Sequence, residues 1–201
     1  GRRVDSARTQ VQGFGRSEAQ KAVAQNKSYQ NLLGHLGAVG IQTKGFNKNP
    51  IHPKILGEME TAYTRLAKIY PKEIKGLTLR YGFNADAGTF GWYDPKKGEI
   101  VFNSNIFGDL GALEKSYAEG VATNLFPKNT DWRALFYHEF GHRFSYVNEI
   151  DNMAAVKAME RQLGYGYHTA KKAENMLIAH LSDYSVEKTK PQYQEVIAEC
   201  F

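Results

Sequence analysis

Three residues in the middle of the chain have the types and the spacing of a hydrolytic zinc site. His138, Glu139 and His142 fit the pattern His-Glu-x-x-His. On a helix, residues four apart lie on one face, so both imidazoles can reach one Zn²⁺ at about 2.0–2.1 Å. Glu139 then lies beside the metal and is expected to take a proton from a water that zinc activates for attack on a carbonyl carbon. The spacing therefore predicts one Zn²⁺ per chain and a hydrolytic reaction.

A zinc site with two histidines needs a third protein ligand. A third histidine in the metzincin pattern is excluded, because Ser145 and Asn148 occupy the positions where that pattern has glycine and histidine. A glutamate from a later helix is the other common ligand. Glu195 and Glu199 share one face of a predicted helix, so Glu195 is expected to bind the metal and Glu199 to hydrogen-bond a ligand histidine. Three other late residues stay open as the third ligand: His180, Glu174 and Glu187.

The metal motif must lie on a helix that is packed on its other side. Asp131 can cap such a helix, which we expect to run to about Val147. An aromatic stripe at i, i+4 spacing lies on the face away from the two histidines; its members are Trp132, Phe136, Phe140 and Phe144. We expect this stripe to enter the core and to leave the histidine face on a cleft.

The remaining pattern indicates helix, strands and then helices, which is an α+β order. Apolar residues at helical spacing predict a helix over 53–70, ended by Pro71. Alternation predicts a strand over 77–83, and two β-prone runs predict a hairpin around 94–98 with Gly98 in the left-handed conformation. A loop-rich passage is expected before Asp131. Further helices are predicted over 152–163, over 170–183 and from about 192.

Composition excludes several other classes of protein. No apolar run approaches the roughly 18 residues that cross a bilayer, and the single cysteine, Cys200, excludes a disulfide framework. Residues 1–50 carry a net charge of +6, whereas the remaining residues carry −1. We interpret 1–50 as a basic, partly ordered lead-in with a domain boundary near residue 50. Contact of this segment with nucleic acid is the alternative, and it would be salt-dependent.

Taken together, these motifs resemble the anthrax lethal factor type of gluzincin domain. The resemblance rests on His-Glu-Phe-Gly-His, on Leu-Ser-Asp-Tyr-Ser at 181–185 and on Glu-Val-Ile-Ala-Glu-Cys-Phe at 195–201. It implies a zincin-like fold over 51–201, with a small mixed or antiparallel sheet and the metal motif on the active-site helix. It also implies zinc ligands at His138, His142 and Glu195, a base at Glu139, support from Glu199, and Tyr184 as an oxyanion stabiliser.

The stretch from Leu36 to Asn103 is similar to metallopeptidase regions attached to phage minor head proteins. This similarity implies a protein or peptide substrate, with phage head proteins as candidate partners. The localisation stays open: a virion or the host cytoplasm is favoured, and secretion is the alternative. By analogy with related zinc folds, the hairpin strand beside the active helix is the expected substrate edge, at Gly88, Thr89, Phe90, Gly91 and Trp92.

Two functions follow from these patterns. The first is a zinc-dependent endopeptidase. The second is a non-catalytic structural or interaction module of a virion that keeps the same fold. Because the chain begins with Gly1 and ends at Phe201 within a predicted helix, we expect it to be part of a longer protein.

Overall fold

A computed structural model describes residues 22–23, 25–84, 88–162, 181–182, 186–187, 190–191 and 193–201. The helices are α1 (Lys27–Ala38), α2 (Pro53–Ile69), α3 (Pro71–Ile74), α4 (Ser104–Phe107), α5 (Leu110–Ala122), α6 (Ala134–Val147), α7 (Asn152–Gln162) and α8 (Tyr193–Glu199). The strands are β1 (Gln42–Lys44), β2 (Thr78–Gly82), β3 (Gly91–Asp94), β4 (Glu99–Asn103), β5 (Val186–Glu187) and β6 (Lys190–Pro191). Within this part of the chain, no helix has the length and apolar character needed to span a membrane.

A four-stranded mixed sheet has the order β1-β2-β4-β3. The β1–β2 and β2–β4 pairs are parallel, and β3 pairs with β4 in antiparallel register. Every residue of the central strand β4 is buried, whereas those of β3 are half-buried. The α+β class and the small mixed sheet are therefore confirmed, and β3 is an edge strand.

The predicted hairpin is confirmed, with β3 and β4 as its strands. Asp94 Oδ1 accepts hydrogen bonds from the backbone N–H groups of Lys96 at 3.1 Å and of Lys97 at 3.3 Å. Gly98 has φ of +63°, a left-handed conformation that glycine adopts without a steric cost. The turn chemistry therefore aligns β3 with β4.

Helix α6 packs its aromatic stripe into the core, as predicted. Trp132, Phe136 and Phe140 are buried, and Phe144 is half-buried against them. The buried Tyr63 of α2 donates a hydrogen bond to the carbonyl of Phe136 at 3.2 Å. These contacts hold one side of α6 against the core.

The start of α6 differs from the prediction. The helix begins at Ala134, three residues after Asp131, and no side chain caps it. Asp131 instead accepts a hydrogen bond from the backbone N–H of Arg133 at 2.9 Å and forms an ion pair with that residue's guanidinium. Asp131 therefore begins a turn before the helix.

The predicted boundary at residue 50 does not separate the chain into two packed units. Tyr29, Leu36 and Phe46 are buried in the same core as α2 and the sheet. The hydroxyl of Tyr29 donates to the carbonyl of Phe46 at 3.2 Å and accepts from the N–H of Ile51 at 3.1 Å. The turn-forming residues near 47–50 thus return the chain to the core, while residues 1–21 lie outside the described part.

The passage before α6 is not mainly loop, because it contains α4 and α5. Asp109 caps α5 by accepting a hydrogen bond from the N–H of Ala112 at 2.8 Å. Leu113, Tyr117 and Gly120 are buried on one face of α5. Their i, i+4, i+7 spacing is helical, but glycines at 108, 111 and 120 weakened the sequence signal.

Two further predicted helices are confirmed in α7 and α8. The helix predicted over 170–183 lies mostly outside the described residues, and Leu181 and Ser182, which are described, are not helical. On the apolar face predicted for α2, Ile55, Met59, Ala62 and Leu66 are buried, whereas Ile69, the last residue of the helix, is 55% exposed.

Candidate metal centre

Helix α6 brings the imidazoles of His138 and His142 together. Their Nε2 atoms lie 3.1 Å apart, and both side chains remain 19% exposed. The spacing follows from the helix itself, because residues four apart lie one above the other on a helix face. The pair therefore faces a cleft, opposite the buried aromatic stripe.

Helix α8 supplies the third group. Glu195 Oε2 lies 3.3 Å from His138 Nε2 and 3.3 Å from His142 Nε2. These are the three residues that share a potential metal position within the described part of the chain. The expected convergence of His138, His142 and Glu195 is therefore present in the structure.

The position of α8 depends on a close approach to α6. A Cβ added to Gly141 would lie 2.8 Å from the Cα of Ala198, too close for a real contact. The ring of Phe201 lies 5.7 Å from that of Phe140 and 4.8 Å from that of Phe144. A glycine within the metal motif and an aromatic residue after α8 thus place Glu195 beside the histidines.

The distances between the three ligand atoms fit zinc. Ligand atoms at the corners of a tetrahedron around Zn²⁺, at about 2.0–2.1 Å from it, lie about 3.3 Å from one another. The observed separations of 3.1–3.3 Å match that edge length. Glu195 Oε2 is buried and accepts no well-aligned hydrogen bond from the described residues, as suits an oxygen that faces a cation.

The close approach of these residues also shifts their pKa values. Burial opposes ionisation of Glu195, but the two imidazoles, each 3.3 Å from its Oε2, outweigh it and lower the pKa of the carboxyl to about 2. Burial also opposes charge on His138, yet the surrounding carboxylates, led by Glu195, raise the pKa of its imidazole. Both shifts follow from the close approach of the three side chains.

Glu139 lies beside the ligands with its carboxylate in the cleft. It is 5% exposed, and burial raises its pKa above the usual glutamate range. A Cβ on Gly91 would lie 3.2 Å from Glu139 Oε1 and 2.9 Å from the carbonyl oxygen of Val101. Glycine at position 91 thus lets the edge strand approach the carboxylate closely. A carboxyl with a raised pKa can take and return a proton nearer neutral pH.

The predicted substrate edge falls partly on β3. Gly91 and Trp92 belong to this edge strand, whereas Gly88, Thr89 and Phe90 precede it and line a cavity that also reaches Glu139. The carbonyl of Phe90 accepts a hydrogen bond from the N–H of Asn103, so pairing with β4 continues one residue beyond the strand. No described strand pairs with the other edge of β3.

The carboxylate of Glu199 has a hydrogen-bond donor that was not expected from the sequence. The Ser182 hydroxyl donates a hydrogen bond to Glu199 Oε1. Burial raises the pKa of Glu199, and its charge is near enough to affect His138. A hydrogen bond from Glu199 to a ligand histidine stays a prediction.

Some predicted site residues fall outside the described part of the chain. These are Tyr184, His180 and Glu174. Glu187 belongs to β5, which forms a short antiparallel pair with β6. The oxyanion role predicted for Tyr184 therefore remains a prediction.

Arg143 was not identified from the sequence, although it joins α6 to the sheet. It is buried, its Nε donates to the carbonyl of Glu73, and its Nη2 donates to that of Lys75 at 2.8 Å. Its Nη1 donates to the Tyr93 hydroxyl at 3.3 Å. The only sign of this role in the sequence was a charged residue on the core-facing side of the predicted α6 helix. Its partners lie far away in the chain.

The chain was also compared with known proteins. Neither family models, nor curated proteins, nor solved structures gave a match. The resemblance to lethal factor-type gluzincins and to phage head proteins therefore stays a prediction.

Proposed function

We propose that this chain is a zinc-dependent endopeptidase of the zincin type. The observation that carries the proposal is the triangle formed by two imidazole nitrogens and one carboxylate oxygen, with sides of 3.1–3.3 Å. This donor set leaves one position of a tetrahedral zinc for water or substrate, as catalytic zinc sites require.

Each group of the site has a role that its chemistry supports. His138, His142 and Glu195 would hold the metal. Bound Zn²⁺ would supply Lewis acidity, which lowers the pKa of water and polarises a substrate carbonyl. Glu139 would take the proton from the attacking water and pass it to the leaving amine. Tyr184 is the proposed hydrogen-bond donor to the developing oxyanion.

The shape of the site favours an internal peptide bond over a chain end. Two cavities of about 550 and 510 Å³ share Gly91, His138 and Glu139 in their linings. A peptide that lies along β3 can therefore extend to both sides of Glu139. The outer edge of β3, with which no strand in the described part of the chain pairs, can hydrogen-bond an extended backbone.

The test combines metal content with hydrolysis. Elemental mass spectrometry of the purified full chain, supplied with zinc, should give about one zinc per chain. A peptide library should be cleaved, and a chelator should stop the cleavage. Glu139→Gln should keep the zinc and lose at least about a hundredfold in kcat, because general acid–base catalysis contributes about that much.

A matched control is available in Glu119→Gln. Glu119 is exposed on α5, in a weak ion pair with Lys115, and it should have no effect on cleavage. Full activity of Glu139→Gln would contradict the mechanism. Bound zinc with no cleavage of any library peptide would favour the alternative, a non-catalytic interaction module of a virion.

A further inference from the structure

The larger cavity beside Glu139 has strongly apolar walls. Its main walls, made from four separate parts of the chain, are Phe90, Tyr117, Leu125, Phe126, Leu135 and Phe201. His138 and Glu139 line the same cavity, so its contents would lie beside the reacting bond. Leu125 is 42% exposed at this cavity, although large apolar side chains gain from burial.

The aromatic wall of this cavity is already assembled. The ring of Phe126 stacks on that of Tyr117 at 4.4 Å with an interplanar angle of 5°, and it meets Phe90 edge to face at 5.3 Å. Phe126 packs directly over Gly120, where any Cβ would overlap its ring. The Tyr117 hydroxyl hydrogen-bonds Thr130 Oγ1 at 2.9 Å. A pre-formed wall costs little ordering on binding.

The cavity on the other side of Glu139 has a different chemistry. Besides aromatic residues of β3, it is lined by polar and acidic groups that include Glu149, Asn152, Gln194 and Glu195. Glu139 and Glu199 also line the Phe126 cavity, but its walls are mainly apolar, so an apolar side chain would gain more from burial there than on the opposite side. The two halves of the cleft therefore discriminate between the residues that flank the cleaved bond.

We infer that the substrate carries a large apolar or aromatic side chain at one of the two residues flanking the cleaved bond, and that Phe126 is the main residue that selects it. This inference rests on the proposed peptidase function. The occupant is a peptide side chain because the cavity is lined by Glu139 and by Gly91 of β3, whose outer edge pairs with no described strand.

Cleavage of a peptide library by the zinc-loaded full chain tests the inference. Sequencing the products should show Phe, Tyr, Leu and Met enriched at one flanking position and not at the other. Full burial of such a side chain predicts a preference of about tenfold or more over glycine in kcat/KM. Cleavage without enrichment would overturn the inference and leave the peptidase function standing.

Ala134→Phe is the sharpest variant, because Ala134 lines the cavity at the start of α6 and a phenyl ring there would fill it. The ratio of kcat/KM for phenylalanine and glycine peptides should fall by about tenfold. Ala112→Phe, the same change at an exposed position of α5 away from the cavity, should leave this ratio unchanged. An unchanged ratio in Ala134→Phe, with circular dichroism and zinc content as in the parent, would overturn the inference.

Two further measurements keep the inference testable if a variant or the reaction fails. If Ala134→Phe does not fold, Leu125→Asn changes an exposed wall residue and should lower the same ratio about two- to fivefold. If no peptide is cleaved, binding of acetyl-Ala-Phe-Ala-amide and acetyl-Ala-Gly-Ala-amide is measured by NMR on the full chain. Tighter binding of the phenylalanine peptide with shifts at Phe126 supports the pocket, and equal binding overturns it.

Discussion

Helices α6 and α8 both supply residues of the proposed metal site, but they are held in the molecule in different ways. Helix α6 buries Phe136 and Phe140 in the main core and is tied to α2 by the Tyr63 hydrogen bond. Helix α8 has seven residues, and its Val196 belongs to a small separate cluster with Val156 of α7. The histidine pair is therefore placed by the main core, whereas Glu195 is placed by a short helix with few buried residues.

This difference indicates how the site would assemble. Two of the proposed ligands, His138 and His142, lie on one face whenever α6 is folded, because they are four residues apart on that helix. The third is in place only when α8 is docked, and zinc would stabilise that docking because binding to one state shifts the equilibrium toward it.

The largest effect is expected from His142→Ala, which removes a ligand from the well-anchored helix. Zinc affinity should fall by about a hundredfold or more, because the binding free energy is shared among few ligands. The fold should persist, since the core face of α6 is unchanged. His35→Ala is the matched control, because the His35 side chain is 62% exposed on α1 and its contact is with Glu60 of α2, away from the proposed metal site. Competition with a fluorescent chelator measures both affinities, and equal values would contradict the site.

Gly141→Ala should have the next largest effect, and it acts on α8 through α6. The added methyl would meet the backbone of Ala198, so α8 must shift and carry Glu195 away from the histidines. We expect zinc affinity to fall about 10- to 100-fold, as it does when a residue that orients a metal ligand is lost. Gly57→Ala is the matched control, since a Cβ there meets nothing within 4 Å.

The two glycine variants should differ in stability as well. Gly57→Ala should raise the free energy of unfolding by about 0.5–1 kcal/mol, because alanine loses less backbone entropy in a helix interior. Zinc affinity of this variant should equal that of the parent. If Gly141→Ala also kept the parent affinity, the close contact between α6 and α8 would not position Glu195.

Hydrogen exchange compares the two helices within one protein. Adding zinc should slow exchange of the α8 amides by about tenfold or more, because ligand binding selects the docked helix. The α6 amides should change less, since the main core already protects them. Mass spectrometry of peptides covering 134–147 and 193–199 measures both. Equal slowing in the two peptides would show that both helices open together.

Tyr63→Phe should give the smallest effect, confined to the anchor of α6. Loss of the hydrogen bond to the Phe136 carbonyl should lower the free energy of unfolding by about 1 kcal/mol. Zinc affinity should stay within about twofold, because the histidines keep their helix. Tyr146→Phe, at a 58% exposed position of the same helix, is the control with an expected change near zero in a urea titration. A large loss of zinc affinity in Tyr63→Phe would mean that the core anchor also tunes the site.

Prediction from the sequence worked best where one element carries its own pattern. The stripe of α6, the Asp94–Gly98 turn and the paired glutamates of α8 are each visible within about a dozen residues. Failures occurred where the pattern was broken or the partner was distant. Glycines in α5 hid a helix, and the turn cluster near Pro50 suggested a linker although Tyr29 bonds across it to Ile51.

The sequence by itself determined the helix that carries His138 and His142, the placement of Glu139 between them, and a late helix with Glu195, because these features follow from spacing along one helix. Only the tertiary structure decided the parallel pairing of β1, β2 and β4, the contact of Gly141 with Ala198, and the aromatic cavity at Phe126. These depend on residues far apart in the chain that meet through packing, and local periodicity carries no information about which distant surfaces will be buried together.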